Sequence, residues 1–310
     1  MADPTGVRLY TLLLERYWNT FYPSVGRANR GSKAVADDSY KYQAQGGVGV
    51  ITLNRPKKLN PIDWDLSEAL CGLFRRLRED DDIRAIVLTG AGRGFSAGGD
   101  AEWLSGKAER VIPGISPRES EQDMPRYQRK TPVGPIGEVV RWIFDVDKPV
   151  IAALHGPVMG AGLAFALACD RRFADPSTQM CAAMVRLGFA PDCGVSWLLP
   201  RVTSLSTSLR MVTTGDILLA DECKAEGLID ELVEEGGALE AATAYAARYA
   251  QAPAVGVELA RRFVHRSLTA RLDEMIEYEA AHAVLSAHTH DAPEGTSAFV
   301  EKRKPGFKGH

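Results

Sequence analysis

The chain has 310 residues, 45 % of them hydrophobic and 25 % charged, with a formal net charge of −3. This is the profile of a soluble globular protein of one large or two small domains. It offers no basic surface for a nucleic acid or a membrane, and no uninterrupted apolar run reaches the ~18 residues that a membrane span needs.

Residues 1–45 read as an N-terminal arm that mixes aromatics (Tyr10, Tyr17, Trp18, Phe21, Tyr22) with Arg8, Arg16, Arg27 and Arg30. No apolar stretch followed by a small-residue cleavage site is present, so no secretory signal is expected, and Asp3, Glu15, Asp37 and Asp38 argue against a transit peptide. The run VGVITL, residues 48–53, predicts the first strand, ended by Asn54-Arg55-Pro56. Asn60-Pro61 then reads as a helix start, Asn as N-cap and Pro at the first helical position. Leu66, Ala69, Leu70, Leu73, Phe74 and Leu77 follow at spacings of three and four and make one apolar helix face, closed by Arg78 and the acidic run after it. A short strand at 85–88 runs into the glycine turn GAGRGFSAGGDAEWL, residues 90–104, with Asp100 placed to cap a following helix.

Periodicity is lost over residues 105–135, which read as a mobile segment over a pocket. The stretch from 148 to 200 is the most organised. An apolar run at 150–154 predicts a buried strand; Gly156, Gly160 and Gly162 follow, then a breaker-free helix from 163 to 169. Short helices are expected at 204–213 and 221–228, and longer ones at 238–251, 254–268 and 270–287, before a basic tail. Strands that lead into helices predict an α/β fold with parallel strands and crossover helices.

Cys71, Cys169, Cys181, Cys193 and Cys223 are odd in number and widely spaced, the pattern of free thiols in a reducing compartment, which points to the cytoplasm. No metal site is expected: His288 and His290 are two apart and do not share a helix face. Gly94-Phe95-Ser96-Ala97-Gly98 fits the G-x-S-x-G pattern of serine hydrolases, but the strand ends several residues too early for a nucleophile elbow. Gly160-Ala161-Gly162 lacks the third glycine of a dinucleotide fingerprint, Phe165 standing in its place. Each of the two glycine turns presents bare N–H groups at a helix start. If both face one cavity they form an oxyanion hole; otherwise they only permit tight strand-to-helix packing.

The segments ITLNRPKKLNP, FSAGGD, KPVIAALHGPVMGAGLAFALACD and RLGFAPDCGVSWLLPR, with the ending EGTSAFVEKRKPGFKGH, resemble the crotonase (enoyl-CoA hydratase/isomerase) superfamily over about residues 46–310. The resemblance implies a spiral of strand-strand-helix repeats over 46–235 and a helical trimerisation region over 236–310. It also implies an acyl-CoA substrate, with coenzyme A as part of that substrate and no further cofactor, and a homotrimer or dimer of trimers. The backbone N–H groups of Gly99 and Ala161 would be the oxyanion donors. The two glutamates of the family's hydratases fall on Ala164 and Met184, so both carboxylates are missing.

One acid remains nearby, Asp192, in Ala190-Pro191-Asp192-Cys193-Gly194. Here the chain is similar to dienoyl-CoA isomerase and ring-1,2-epoxyphenylacetyl-CoA isomerase, which use an Asp at this place; chlorobenzoyl-CoA dehalogenase places a nucleophilic Asp there. A lone carboxylate suits an isomerase, which removes and returns one proton. Enclosure by Met184, Phe165, Cys193 and Trp197 would raise the pKa of this acid by desolvation. The alternative duty for Asp192 is to cap the helix that follows. Hydration, with the water activated by Asp192 or by another acid such as Glu102 or Glu138, a nucleophilic Asp192 that forms an acyl- or aryl-enzyme ester, and a non-catalytic acyl-CoA binding protein are the rival readings. Ala97, Asp100, Met159 and Gly160 fall around the two turns. Trp103, Met184 and Trp197 read as core or as acyl contacts, and Lys57 and Lys302 as solvated surface or as contacts to coenzyme A phosphates.

Overall fold

The structure, a computed structural model, describes residues 38–100 and 134–310. Strands β1 (Tyr40–Gln45), β2 (Val48–Leu53) and β3 (Ala85–Gly90) begin the main sheet, and helix α1 (Trp64–Glu79) connects β2 to β3. After residue 134 come α2 (Pro135–Asp145), β4 (Val150–Leu154), β5 (Pro157–Met159), α3 (Ala161–Ala168), β6 (Arg171–Ala174) and β7 (Gln179–Cys181). They are followed by α4 (Val195–Val202), α5 (Leu205–Thr214), β8 (Leu218–Leu219), α6 (Ala220–Ala225) and β9 (Glu231–Leu232). Helices α7 (Ala238–Ala246), α8 (Ala254–Ser267), α9 (Leu272–Ala287) and α10 (Asp291–Glu301) close the chain.

The six-stranded sheet runs β1-β2-β3-β4-β6-β9, parallel except for the β1–β2 hairpin; a second, three-stranded sheet runs β5-β7-β8. Strand β3 is buried on both faces because its residues alternate. Ile86 and Leu88 join the large core with α1, α2 and α3, whereas Ala85 and Val87 face a second cluster built on Ala238, Ala242 and Ala246 of α7. Helix α7 therefore belongs to the layered core, although it follows the boundary drawn at residue 235. The sheet likewise begins at Tyr40, inside the segment read as an arm; β1 is a mostly exposed edge strand without the apolar run that marks β2. The rest of that arm, 1–37, lies outside the described residues, as does the segment read as mobile up to residue 133.

Helix α1 is capped by Asp63, whose carboxylate accepts the Leu66 N–H at 2.9 Å, not by Asn60. Asn60 sits at φ +53, a left-handed conformation that an N-cap does not adopt. Helix α3 is buried on every side, as its unbroken apolar sequence requires. Helix α10 forms where the chain was expected to run out as a tail, and the last residues fold back: the Asp291 carboxylate accepts the N–H groups of Lys308 and Gly309, each at 2.7 Å. Among the described residues no helix is long and apolar enough to cross a membrane.

Candidate active site

Strand β3 ends at Gly90, and the chain turns into a stretch that runs between two other segments. On one side, the Ile62 N–H donates to Gly98 O (2.8 Å) and the Asp100 N–H to Ile62 O (2.9 Å), so Ile62 and Gly99 form a parallel bridge. That pattern turns the N–H of Gly99 itself away from Ile62. On the other side, the Ser96 N–H donates to Pro157 O and the Met159 N–H to Ser96 O, both at 2.9 Å. Gly98 and Gly160 let the two backbones meet. A Cβ on Gly98, at φ +95, would stand 2.8 Å from Met159 O and 3.6 Å from Ala161 N; one on Gly160, at φ +51, would stand 3.8 Å from the Gly98 Cα.

Ala161 is the first residue of α3, so its N–H has no partner within the helix. Neither it nor the Gly99 N–H meets an acceptor among the described residues. Two unspent amide donors lie on touching segments, one of them at the positive end of a buried helix, and donors of this kind can hold an oxygen that gains negative charge.

The family description "Enoyl-CoA hydratase/isomerase" matches residues 43–310. The chain belongs to the enoyl-CoA hydratase/isomerase (crotonase) family. It is 32% identical over 263 residues to the 1,2-epoxyphenylacetyl-CoA isomerase of Escherichia coli, covering 85% of this chain and 95% of that one. It is 29% identical to the short-chain-enoyl-CoA hydratase of Clostridium acetobutylicum, covering 86% and 96%. A solved Streptomyces coelicolor structure aligns at a TM-score of 0.79 with 34% identity, covering 93% of this chain and 100% of that one. The fold is the crotonase fold.

Ala164 and Met184, the positions that the resemblance matches to the hydratase glutamates, lie near these turns. Ala164 is fully buried in α3, and Met184 Sδ lies 4.0 Å from where a Gly160 Cβ would be. Asp192 stands on the tight turn before α4. Its carbonyl accepts the Val195 N–H at 3.0 Å, and Cys193 (φ +52) and Gly194 (φ +81) are both left-handed, a type I′ turn. The N-cap of α4 is Gly194 with no side-chain cap bond, so Asp192 has no capping duty.

The apolar enclosure expected around this carboxylate is not formed by the described residues, and Asp192 is exposed. Phe165 is fully buried in the core. Trp197 turns aside onto Phe144 and under the Arg201 guanidinium, 3.8 Å from its ring centre. Cys193 is the chain neighbour of Asp192; burial first, and then that carboxylate, push its thiol far above its ordinary pKa. Burial also lifts Cys71 and Cys223 to about 12, so thiolate chemistry is not available at these positions. All five cysteines are unpaired.

The remaining residues divide by place. Met159 is half-buried and Ala97 exposed, both on the paired segments. Asp100 is buried, 3.8 Å from Arg55 Nη1, which also pairs with Asp63 at 2.7 Å. Glu138 is bound to Arg141 at 2.8 Å on α2. Lys57 lies exposed on a short 3-10 turn, and Lys302 is the exposed, left-handed cap of α10. Trp103 and Glu102 lie outside the described residues.

Sequence reasoning missed Asn60. Its Nδ2 donates to Ala91 O (2.9 Å), Gly94 O (2.8 Å) and Phe95 O (3.2 Å), while its Oδ1 accepts the Arg55 N–H at 2.8 Å. One buried carboxamide thus ties down the turn that leads to Gly99. Asn-Pro carries two meanings, helix cap or left-handed turn, and the second applies here.

Proposed function

We propose that this protein is an acyl-CoA isomerase that holds the thioester oxygen between the N–H groups of Gly99 and Ala161 and moves a proton with Asp192. The observation that carries the reading is the exchange of carboxylates. Both places where the family's hydratases hold a glutamate are buried and apolar, while Asp192 stands on a strained turn with no capping task. Each amide donor is worth on the order of 10²-fold in rate, because it meets charge that develops only as the enolate forms. One carboxylate then suffices: it takes a proton from one carbon and returns it to another, shifting a double bond or isomerising a ring. The bound acyl group, not the protein wall, covers the carboxylate and removes its water. The name of the Escherichia coli relative supports this reaction.

The second reading, addition of water to a 2-enoyl-CoA, is favoured by relatives named as hydratases. Crotonyl-CoA separates the two. Isomerase chemistry leaves its conjugated absorbance intact, and steady loss of that absorbance at an ordinary enzymatic rate refutes the isomerase assignment. Asp192→Asn should lower isomerisation of a dienoyl- or ring-epoxide thioester by 10²-fold or more while affinity for coenzyme A thioesters stays. If the rate survives that change, Asp192 is not the base.

The assembly fits a homotrimer or dimer of trimers. Val264, Leu272, Ile276, Phe299 and Val300 are 66%, 74%, 56%, 85% and 74% exposed on α8, α9 and α10, more apolar surface than a lone chain leaves in water. Light scattering that gives the mass of a single chain contradicts this. The cytoplasm remains the proposed location, from the five free thiols.

A further inference from the structure

We propose that Ser96 is the positioning residue that fixes both oxyanion donors relative to one another; this rests on the reading of Gly99 and Ala161 as the thioester clamp. Ser96 is the serine of the G-x-S-x-G pattern. It is fully buried, and its hydroxyl is committed at both ends, which rules it out as a nucleophile. The Oγ–H donates to Asn60 O at 2.7 Å, and the same oxygen accepts the Gly98 N–H at 3.1 Å. Gly98 directly precedes Gly99, and its carbonyl accepts the Ile62 N–H, so the Gly99 N–H of the same peptide points the other way. The hydroxyl thus anchors the residue directly before the first donor.

The backbone of the same residue holds the second donor. The Ser96 N–H and C=O bind Pro157 and Met159, at the start and end of β5, directly before Gly160 and Ala161. The contact continues into α3: a Cβ on Gly162 would stand 2.7 Å from the Ser96 Cβ and 3.0 Å from its Oγ. One buried residue therefore bridges four segments, at 60, 98, 157–159 and 162. Without the hydroxyl, the Gly98 N–H and Asn60 O lose their partner at a buried position, and the Gly98–Gly99 peptide is held only by the bond that its carbonyl accepts from Ile62. A displacement of even part of an ångström spoils a donor aimed at one oxygen.

The carbonyl of a bound thioester reports this directly. Hexanoyl-CoA carrying carbon-13 at the carbonyl, bound to the full-length protein, gives an isotope-edited infrared band whose fall in frequency relative to free thioester measures how strongly the two amides polarise it. The wild-type band is expected to fall. In Ser96→Ala more than half of that displacement is lost, while the dissociation constant rises by no more than about tenfold, because most of the ligand's contacts lie elsewhere. Ser96→Cys, whose longer and weaker-bonding thiol replaces the hydroxyl imperfectly, gives an intermediate displacement. A residue that matters only for stability lowers the urea midpoint and leaves the band of the folded fraction where it was. The full wild-type displacement in Ser96→Ala overturns the proposal; if Ser96→Ala does not fold, the full displacement in Ser96→Cys overturns it equally. A wild-type band that does not move at all refutes the amide clamp itself, and the role of Ser96 falls with it.

Discussion

The two amide turns and the C-terminal helices are held by opposite means. Around Gly90–Gly99 and Gly156–Gly162 the chain is locked by backbone contact and neutral hydrogen bonds, with Asn60 and Ser96 spent inside it. Helix α8, by contrast, is fastened by charge. Arg261 donates to Asp170 and to the carbonyls of Phe144 and Ile143, His265 reaches the other Asp170 oxygen at 3.0 Å, and Arg262 grips Asp147 with two bonds. The difference follows from what each must do. A pair of amides that waits for an oxygen must be rigid before the ligand arrives, and close-packed backbone supplies that. A helical appendage with a large exposed apolar face needs only a fixed docking direction, which a few charge-assisted bonds provide.

The sharpest way to break the first region is Gly156→Ala. Gly156 sits at φ +53, and a Cβ there would stand 2.1 Å from Arg93 O and 2.9 Å from the Gly94 Cα. Both neighbours are backbone and cannot yield as a side chain end could. A loss of about 4 kcal/mol or more is expected in urea unfolding, or failure to fold at all. A loss below about 1 kcal/mol would show that the first turn is looser than its contacts imply.

In the second region the largest effect should come from Asp170→Ala, about 3 kcal/mol, since it strands the buried Arg261 guanidinium. Burial alone would raise the Asp170 carboxyl, but Arg261, His265 and the Val150 N–H together hold it below the usual carboxylate range. A carboxyl depressed in the folded state adds stability that is complete above the unfolded value of about 3.9 and is lost as pH falls through the folded one. The stability gap between wild type and Asp170→Asn should therefore be widest above pH 5 and close below pH 4. A gap that is flat across this range contradicts the ionic account of how α8 is docked.

The same contrast explains what could be read from residues alone. The buried strand, glycine turn and apolar helix over 150–168 were legible because each carries a strong local signal: an unbroken apolar run, glycine at a left-handed position, no breaker. Asn60 and Ser96 were not, because the acceptors to which their side chains donate lie 31 to 36 residues away in the chain and neither residue type predicts such a bond. The exposure of Asp192 was hidden for a related reason. Neighbours in sequence such as Trp197 point where packing against α2 and stacking on Arg201 send them, not where a pocket would want them.

The smallest effect is also the most informative about how charge offsets strain. Asp147 is left-handed at φ +63, at a cost of roughly 1 kcal/mol for a residue with a Cβ. Its carboxylate takes two bonds from Arg262, at 3.0 and 2.7 Å, and a weaker contact from Arg78 at 3.5 Å. These groups are half-buried, so Arg262→Ala should cost about 1 kcal/mol in urea unfolding. Asp147→Gly alone removes the strain and the ion pairs together and should be close to neutral. In the Arg262→Ala background only the strain and the weaker Arg78 contact are left to remove, and Asp147→Gly should then stabilise by up to about 1 kcal/mol. If the glycine has the same effect in both backgrounds, Arg262 and Asp147 are uncoupled, and the turn before β4 is held in its left-handed form by the packed core rather than by α8.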